Sequence, residues 1–156
     1  MSQSSYKNQM SNFAVSPEQK QVPELEDFAG KWRLNRTIVQ HTGENYVFEG
    51  AANFAWHGQR LVYKEVGLVM APNGKKLPAE RTYFWQKGSG GQIDVFFDDN
   101  RYFHSFSGLA PHAEHLCGND DYKVDYSFAR WPVWESEWRV TGPRKDYAMR
   151  SRYEPD

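Results

Sequence analysis

Between Arg101 and Tyr122 the chain reads RYFHSFSGLAPHAEHLCGNDDY, which gathers His104, His112 and His115, three of its five histidines, and its only cysteine, Cys117. Those residue types allow three chemistries. As metal ligands, His112, His115 and Cys117 would supply three donors and His104 or Asp121 a fourth, a mixture zinc accepts. The spacing matches none of the usual Cys-x-x-Cys or His-Glu-x-x-His patterns, so no metal is expected. A lone axial histidine would suffice for haem, with His104 the candidate, but the polar residues around it argue against that. No cofactor is therefore expected. General acid/base chemistry needs only one group titrating near neutrality beside a substrate. His104 suits it, with His115 close in sequence and Tyr122, Tyr83 or Tyr126 able to donate to a developing oxyanion. His112 reads as a solvated loop residue and Cys117 as a small apolar one.

Other polar residues interrupt apolar faces elsewhere. Arg36 falls between Leu34 and Ile38 in period-two spacing, and Glu65 follows Leu61 and Tyr63. Arg81 shares a face with Tyr83 and Trp85, and His104 one with Tyr102 and Phe106. An unpaired buried charge is expensive, so these groups need either one another or a polar ligand. Paired, they are struts. Facing a cavity, Arg36 and Arg81 would hold a carboxylate, phenolate or enolate through the guanidinium fork. In GPRKDY, Pro143 and Gly142 make a tight turn that sets Arg144 and Lys145 at a strand start, either as a solvated hairpin tip or as a basic lip for anions.

The elements that must position these groups are strands. From Trp32 onward, runs such as WRLNRTI, NFAWHG, RLVYKEVG, YKVDYSFA and YAMRSRY alternate with period two and are rich in Tyr, Phe, Trp and Val. HTGEN, HGQ, APNGKKLP, KGSGG and DDNR join them as short turns. Eight to ten strands with short turns predict an all-β protein, a closed antiparallel barrel that hides its edges. Pro23 and Gly30 bracket a short N-terminal helix whose Leu25 and Phe28 would plug the opening beneath. Gly108–Asp121 is the longest interior stretch without a strand pattern and reads as a loop whose end, His115 to Tyr122, covers the cavity mouth. Gly50, Ala51, Ala52 and Gly67 leave room inside or let strands bend.

At 156 residues the chain fits one domain, a barrel over 25–156 behind a Ser- and Gln-rich flexible leader over 1–24. With 19 basic and 20 acidic residues well mixed, it carries no footprint for nucleic acid or an anionic membrane. A single cysteine, no signal-type apolar stretch and no membrane-length apolar run point to a cytoplasmic protein, with room for a homodimer. Aromatic residues make up 16% of the chain, six of them Trp, enough to fill a small barrel or to line a site within it.

FAGKWRL resembles the Gly-x-Trp opening of lipocalin-type (calycin) barrels. That resemblance implies a Trp closing the base, often beneath an arginine of the last strand, a part open to Arg150 or Arg152. FHSF…HLCGNDDY followed by W…VTGPRKDY is similar to a family of short proteins known only as a domain of unknown function with a lipocalin-like fold. The likeness spans Leu25 to Tyr153 and implies a fold without an activity.

The expected function is recognition of a small planar, anionic or aromatic molecule in the barrel. Arg36, Arg81, Arg144 and Lys145 would meet charge, Tyr83, Trp85 and Trp138 flat surfaces, and His115 the rim. The alternative is a cofactor-free isomerase, cyclase or decarboxylase using the same cavity, with His104 or Glu65 as base and Tyr122 as partner. A third reading is an interaction barrel with a solid core.

Overall fold

Alternating inward and outward side chains turn most of the chain into strands. The computed structural model describes residues 22–156. It contains β1 (Gly30–Gln40), β2 (Asn45–His57), β3 (Arg60–Met70), β4 (Lys76–Lys87), β5 (Ile93–Phe97), β6 (Tyr102–Phe106), β7 (His112–Cys117), β8 (Asp120–Arg130), β9 (Val133–Thr141) and β10 (Asp146–Pro155). Every ladder is antiparallel and joins chain neighbours, except that β1 also pairs with β10, Leu34 opposite Tyr153. The order β6-β5-β4-β3-β2-β1-β10-β9-β8-β7 therefore wraps into a nearly closed ten-stranded barrel. Only between β6 and β7 is there no ladder among the described residues, which leaves a seam in the wall.

The short helix expected after Pro23 is a single 3-10 turn, Leu25–Phe28, capped reciprocally by Glu24 and Asp27. Four residues are too few for an α-helix to repay its nucleation. The turn plugs the base: Phe28 is fully buried and its ring lies 5.1–5.2 Å from those of Trp85, Trp131 and Trp134. Trp32 donates its indole N–H to the Phe28 carbonyl at 2.9 Å, tying the first strand to the plug. No arginine of the last strand covers it. Arg150 and Arg152 point outward to Glu137 and Glu154, and Trp131 and Trp134 pack on Trp32 instead. The strand period explains this, since Ser151 and Tyr153 occupy the inward positions of β10. Of the expected leader, residues 1–21 lie outside the described residues, while Pro23 is already buried and Glu24 caps the turn.

Gly108–Asp121 is not one long loop. His112–Cys117 forms β7, paired residue for residue with β8 across a tight turn at Gly118 and Asn119. The histidines and glutamate of HAEHLC mask a strand whose inward positions, Ala113 and His115, alternate with exposed His112, Glu114 and Leu116. The segment is wall, not lid. Cys117, at its end, is exposed rather than packed.

The small residues of β2 and β3 permit close approach more than they leave space. Gly50 and Gly67 face each other, and a Cβ on either would strike backbone carbonyls of the partner strand. Phe48 fills the room above Gly67. No helix among the described residues is long and apolar enough to cross a membrane.

Candidate functional site at the barrel mouth

The interior is layered, and its layers have different chemistry. The base is aromatic throughout: Phe54, Trp85, Phe106, Phe128 and Trp134 surround the Phe28 plug. Trp85 belongs here, 5% exposed, a core residue with no face left for a ligand.

Above the base lies a polar belt whose members come from three strands. Arg36 of β1 forms a forked pair with Glu65 of β3, Nη1 to Oε2 at 2.6 Å and Nη2 to Oε1 at 3.1 Å, and its Nε donates to Ser151 Oγ at 2.7 Å. Tyr63 donates to Glu65 Oε1 at 2.7 Å, and its oxygen lies 2.9 Å from the Tyr153 hydroxyl. This geometry satisfies a buried charge, as a forked Arg–carboxylate pair with further hydrogen bonds should. Burial opposes the Arg36 charge, but the Tyr153 and Glu65 oxygens more than offset that and hold the guanidinium above its ordinary range. Burial drives the Tyr63 phenol well up and pushes Tyr153 to about 12, so both remain protonated donors.

His104 sits beside this belt, 3% exposed on β6. Its Nε2 is 2.9 Å from the Tyr126 hydroxyl, and its Nδ1 has no partner. Burial, with a smaller push from His115, lowers its pKa to about 3. The ring is thus neutral at ordinary pH. A bare Nδ1 lone pair is the less costly orphan, which favours an Nε2–H donating to Tyr126.

A β-bulge decides what stands at the top. Between Val95 and Phe96 the β5–β6 register slips: Val95 pairs with His104, but Phe96 pairs with Tyr102. Phe103 is the extra residue. Such a bulge turns consecutive side chains inward, so Phe103 and His104 are both buried while Tyr102 faces out onto Phe96. The expected face of Tyr102, His104 and Phe106 is broken there. Phe103 is sandwiched between Phe97 at 4.3 Å and Trp138 at 5.1 Å, with Tyr83 and His115 at 6.0 and 5.4 Å.

The rim is where side chains remain accessible. Tyr83, Phe97, Trp138 and Tyr147 are half-buried, and Arg81 is exposed. Arg81 stands opposite Glu65 in the β3–β4 ladder, but Glu65 is taken by Arg36. That leaves Arg81 with no acidic partner among the described residues. Tyr83 is raised by burial against the opposing field of Arg81, and Tyr147 by burial beside Tyr122, with Lys145 and Arg81 acting the other way. Lys145 donates to Tyr122 at 2.9 Å and pairs with Asp120 at 3.3 Å; the Tyr122 hydrogen bond is the main reason its pKa is raised. Arg144 is exposed at the tip of the same turn.

The candidate residues therefore separate. Arg81, Tyr83, Trp138, Tyr122, His115 and Lys145 gather at the mouth. Arg36 and Glu65 form the belt beneath, His104 is sealed beside it, and Trp85 is at the base. His112 and His115 point to opposite faces of β7, His112 outward against Asp125. Among the described residues no three His, Cys, Asp or Glu side chains are grouped to hold an ion. Sequence reasoning missed Phe97, Phe103 and Tyr147. Tyr147 was within reach as the last residue of GPRKDY; Phe103 was hidden by the bulge.

Comparison with known proteins adds a family. No curated protein matches the chain. A solved structure described as a de novo designed fluorescence-activating beta barrel aligns with a TM-score of 0.44 at 12% identity, covering 85% of this chain and 96% of that one. Residues 28–155 match a family of unknown function (DUF6314). That match takes in every strand of the barrel, and the chain belongs to this family of unknown function.

Proposed function

We propose that the barrel mouth binds a small planar anion, with Arg81 meeting its charge and Tyr83, Phe97 and Trp138 its flat faces. The observation that carries this reading is Arg81, a lumen-phase guanidinium whose cross-strand carboxylate is already committed to Arg36. Its fork lacks an internal acceptor, and its charge acts on the half-buried Tyr83 and Tyr147, the combination a planar carboxylate or phenolate requires. Lys145, also at the rim, is already held by Asp120 and Tyr122. The occupant is shallowly held, because the belt and the aromatic base fill the barrel below.

Acid/base catalysis fits these groups less well. His104 is sealed from solvent and, with a pKa of about 3, is a weak base. Glu65 is engaged by Arg36 and Tyr63.

Titration of the protein with benzoate, salicylate and cinnamate, followed by calorimetry, tests the reading. Saturable binding is expected, weakened about tenfold or more in Arg81→Ala, the loss of a charge-assisted hydrogen bond. Absence of saturation for all three, or equal affinity in Arg81→Ala, contradicts it.

A further inference from the structure

Outside the barrel, at the opposite end from the mouth, lies a cleft of about 590 Å³. The 3-10 turn contributes Leu25 and Glu26, the β2–β3 hairpin Trp56, His57, Gln59 and Arg60, and the end of β4 Gln86 and Lys87. Its size is that of a small-molecule site. Trp56 shares the inward phase of Phe54, but it lies past the end of the barrel and is 47% exposed. An indole half in water beside a concavity is a platform awaiting a flat partner.

The cations of the cleft are already engaged. Lys87 is paired with Glu26 at 2.5 Å. Arg60 lies 3.9 Å above the Phe84 ring and donates to Asn100 at 2.9 Å. Arg60 has no carboxylate partner, but its guanidinium is already engaged by the Phe84 ring and Asn100, whereas Arg81 at the mouth has no such partner among the described residues. An apolar chain would find one exposed ring and little else, since Leu25 is only 2% exposed. What remains is polar: the amides of Gln59 and Gln86, each able to donate and accept, and the imidazole of His57.

We propose that this cleft is a saccharide site, with a pyranose ring stacking its C–H face on Trp56 while its hydroxyls bond Gln59, Gln86 and His57. A sugar is the ligand class that joins a flat apolar face to a rim of neutral hydroxyls, and the lining has the same division. The proposal is independent of the mouth.

The test is titration of the full chain with glucose, galactose, mannose, N-acetylglucosamine and their common disaccharides, read from the tryptophan indole resonances. At least one sugar is expected to shift the Trp56 indole saturably. Followed by calorimetry, because the variants lack that indole, Trp56→Ala should weaken the binding about tenfold or more and Trp56→Phe less, since a smaller ring still offers a face. Gln86→Ala should weaken it severalfold, with circular dichroism confirming that each variant folds. Arg81→Ala should leave it unchanged. If no sugar moves the Trp56 indole up to its solubility limit, or if affinity survives in Trp56→Ala, the proposal is overturned.

Discussion

His104 ties stability to pH in a way that can be isolated. Its folded-state pKa of about 3 lies below the ordinary value of 6.5. As pH falls, the unfolded chain therefore takes up a proton that the folded chain refuses. The His104 contribution is complete above about pH 6.5 and is lost as pH drops toward 3, at up to ~1.4 kcal/mol per unit. Between pH 7 and pH 5 the linkage integral gives a loss of about 2 kcal/mol. Urea unfolding of wild type and His104→Gln at both pH values measures it, with tryptophan emission as the signal. The glutamine keeps an N–H for Tyr126 but does not titrate in this range. Other titrating groups, Glu26 and Asp99 among them, act alike in both proteins and cancel in the difference. The wild type should lose about 2 kcal/mol more than His104→Gln over that interval. Equal losses would refute the claim that a sealed neutral imidazole occupies this position.

Three further perturbations probe the layers. Arg36→Met should cost about 3–5 kcal/mol in urea unfolding because it strands the buried Glu65 carboxylate, whereas Arg36→Met combined with Glu65→Leu should recover much of that loss. Phe28→Ala should remove about 3–5 kcal/mol by opening the aromatic base, seen as a lower thermal midpoint and altered tryptophan emission. Gly67→Ala forces a methyl against the Glu49 carbonyl and should destabilise by about 1–3 kcal/mol, while Gly74→Ala, in open space at a positive φ, should cost only about 1 kcal/mol.

Period two was enough to place Arg36, Glu65, Arg81 and Tyr83 in the inward phase, because each sits two residues from an apolar side chain of that face. Their partners were not visible. Arg36 and Ser151 are 115 positions apart, and only the closure of β1 onto β10 brings them together. Whether Arg36 or Arg81 would claim Glu65 was equally hidden, since the ladder places Arg81 directly opposite it while Arg36 reaches across the lumen. The bulge at Phe103 defeats alternation outright: one inserted residue changes which side chains face inward, and no composition signal marks it. In β7 the histidines read as chemistry when their spacing was that of a strand, His115 inward and His112 outward. The Gly-x-Trp resemblance pointed correctly to Trp32 at the base, yet aromatic rings do there what an arginine was expected to do.

The central claim is that the mouth, not the interior, receives the ligand. The six tryptophans report on it separately, because Trp138 stands at the mouth, Trp32, Trp85, Trp131 and Trp134 at the base, and Trp56 on the outer cleft. Two-dimensional indole N–H spectra recorded during titration with salicylate should show the Trp138 resonance moving saturably while the base and cleft resonances stay fixed. Movement of Trp85 or Trp134 without Trp138, or no movement at all, would contradict the account.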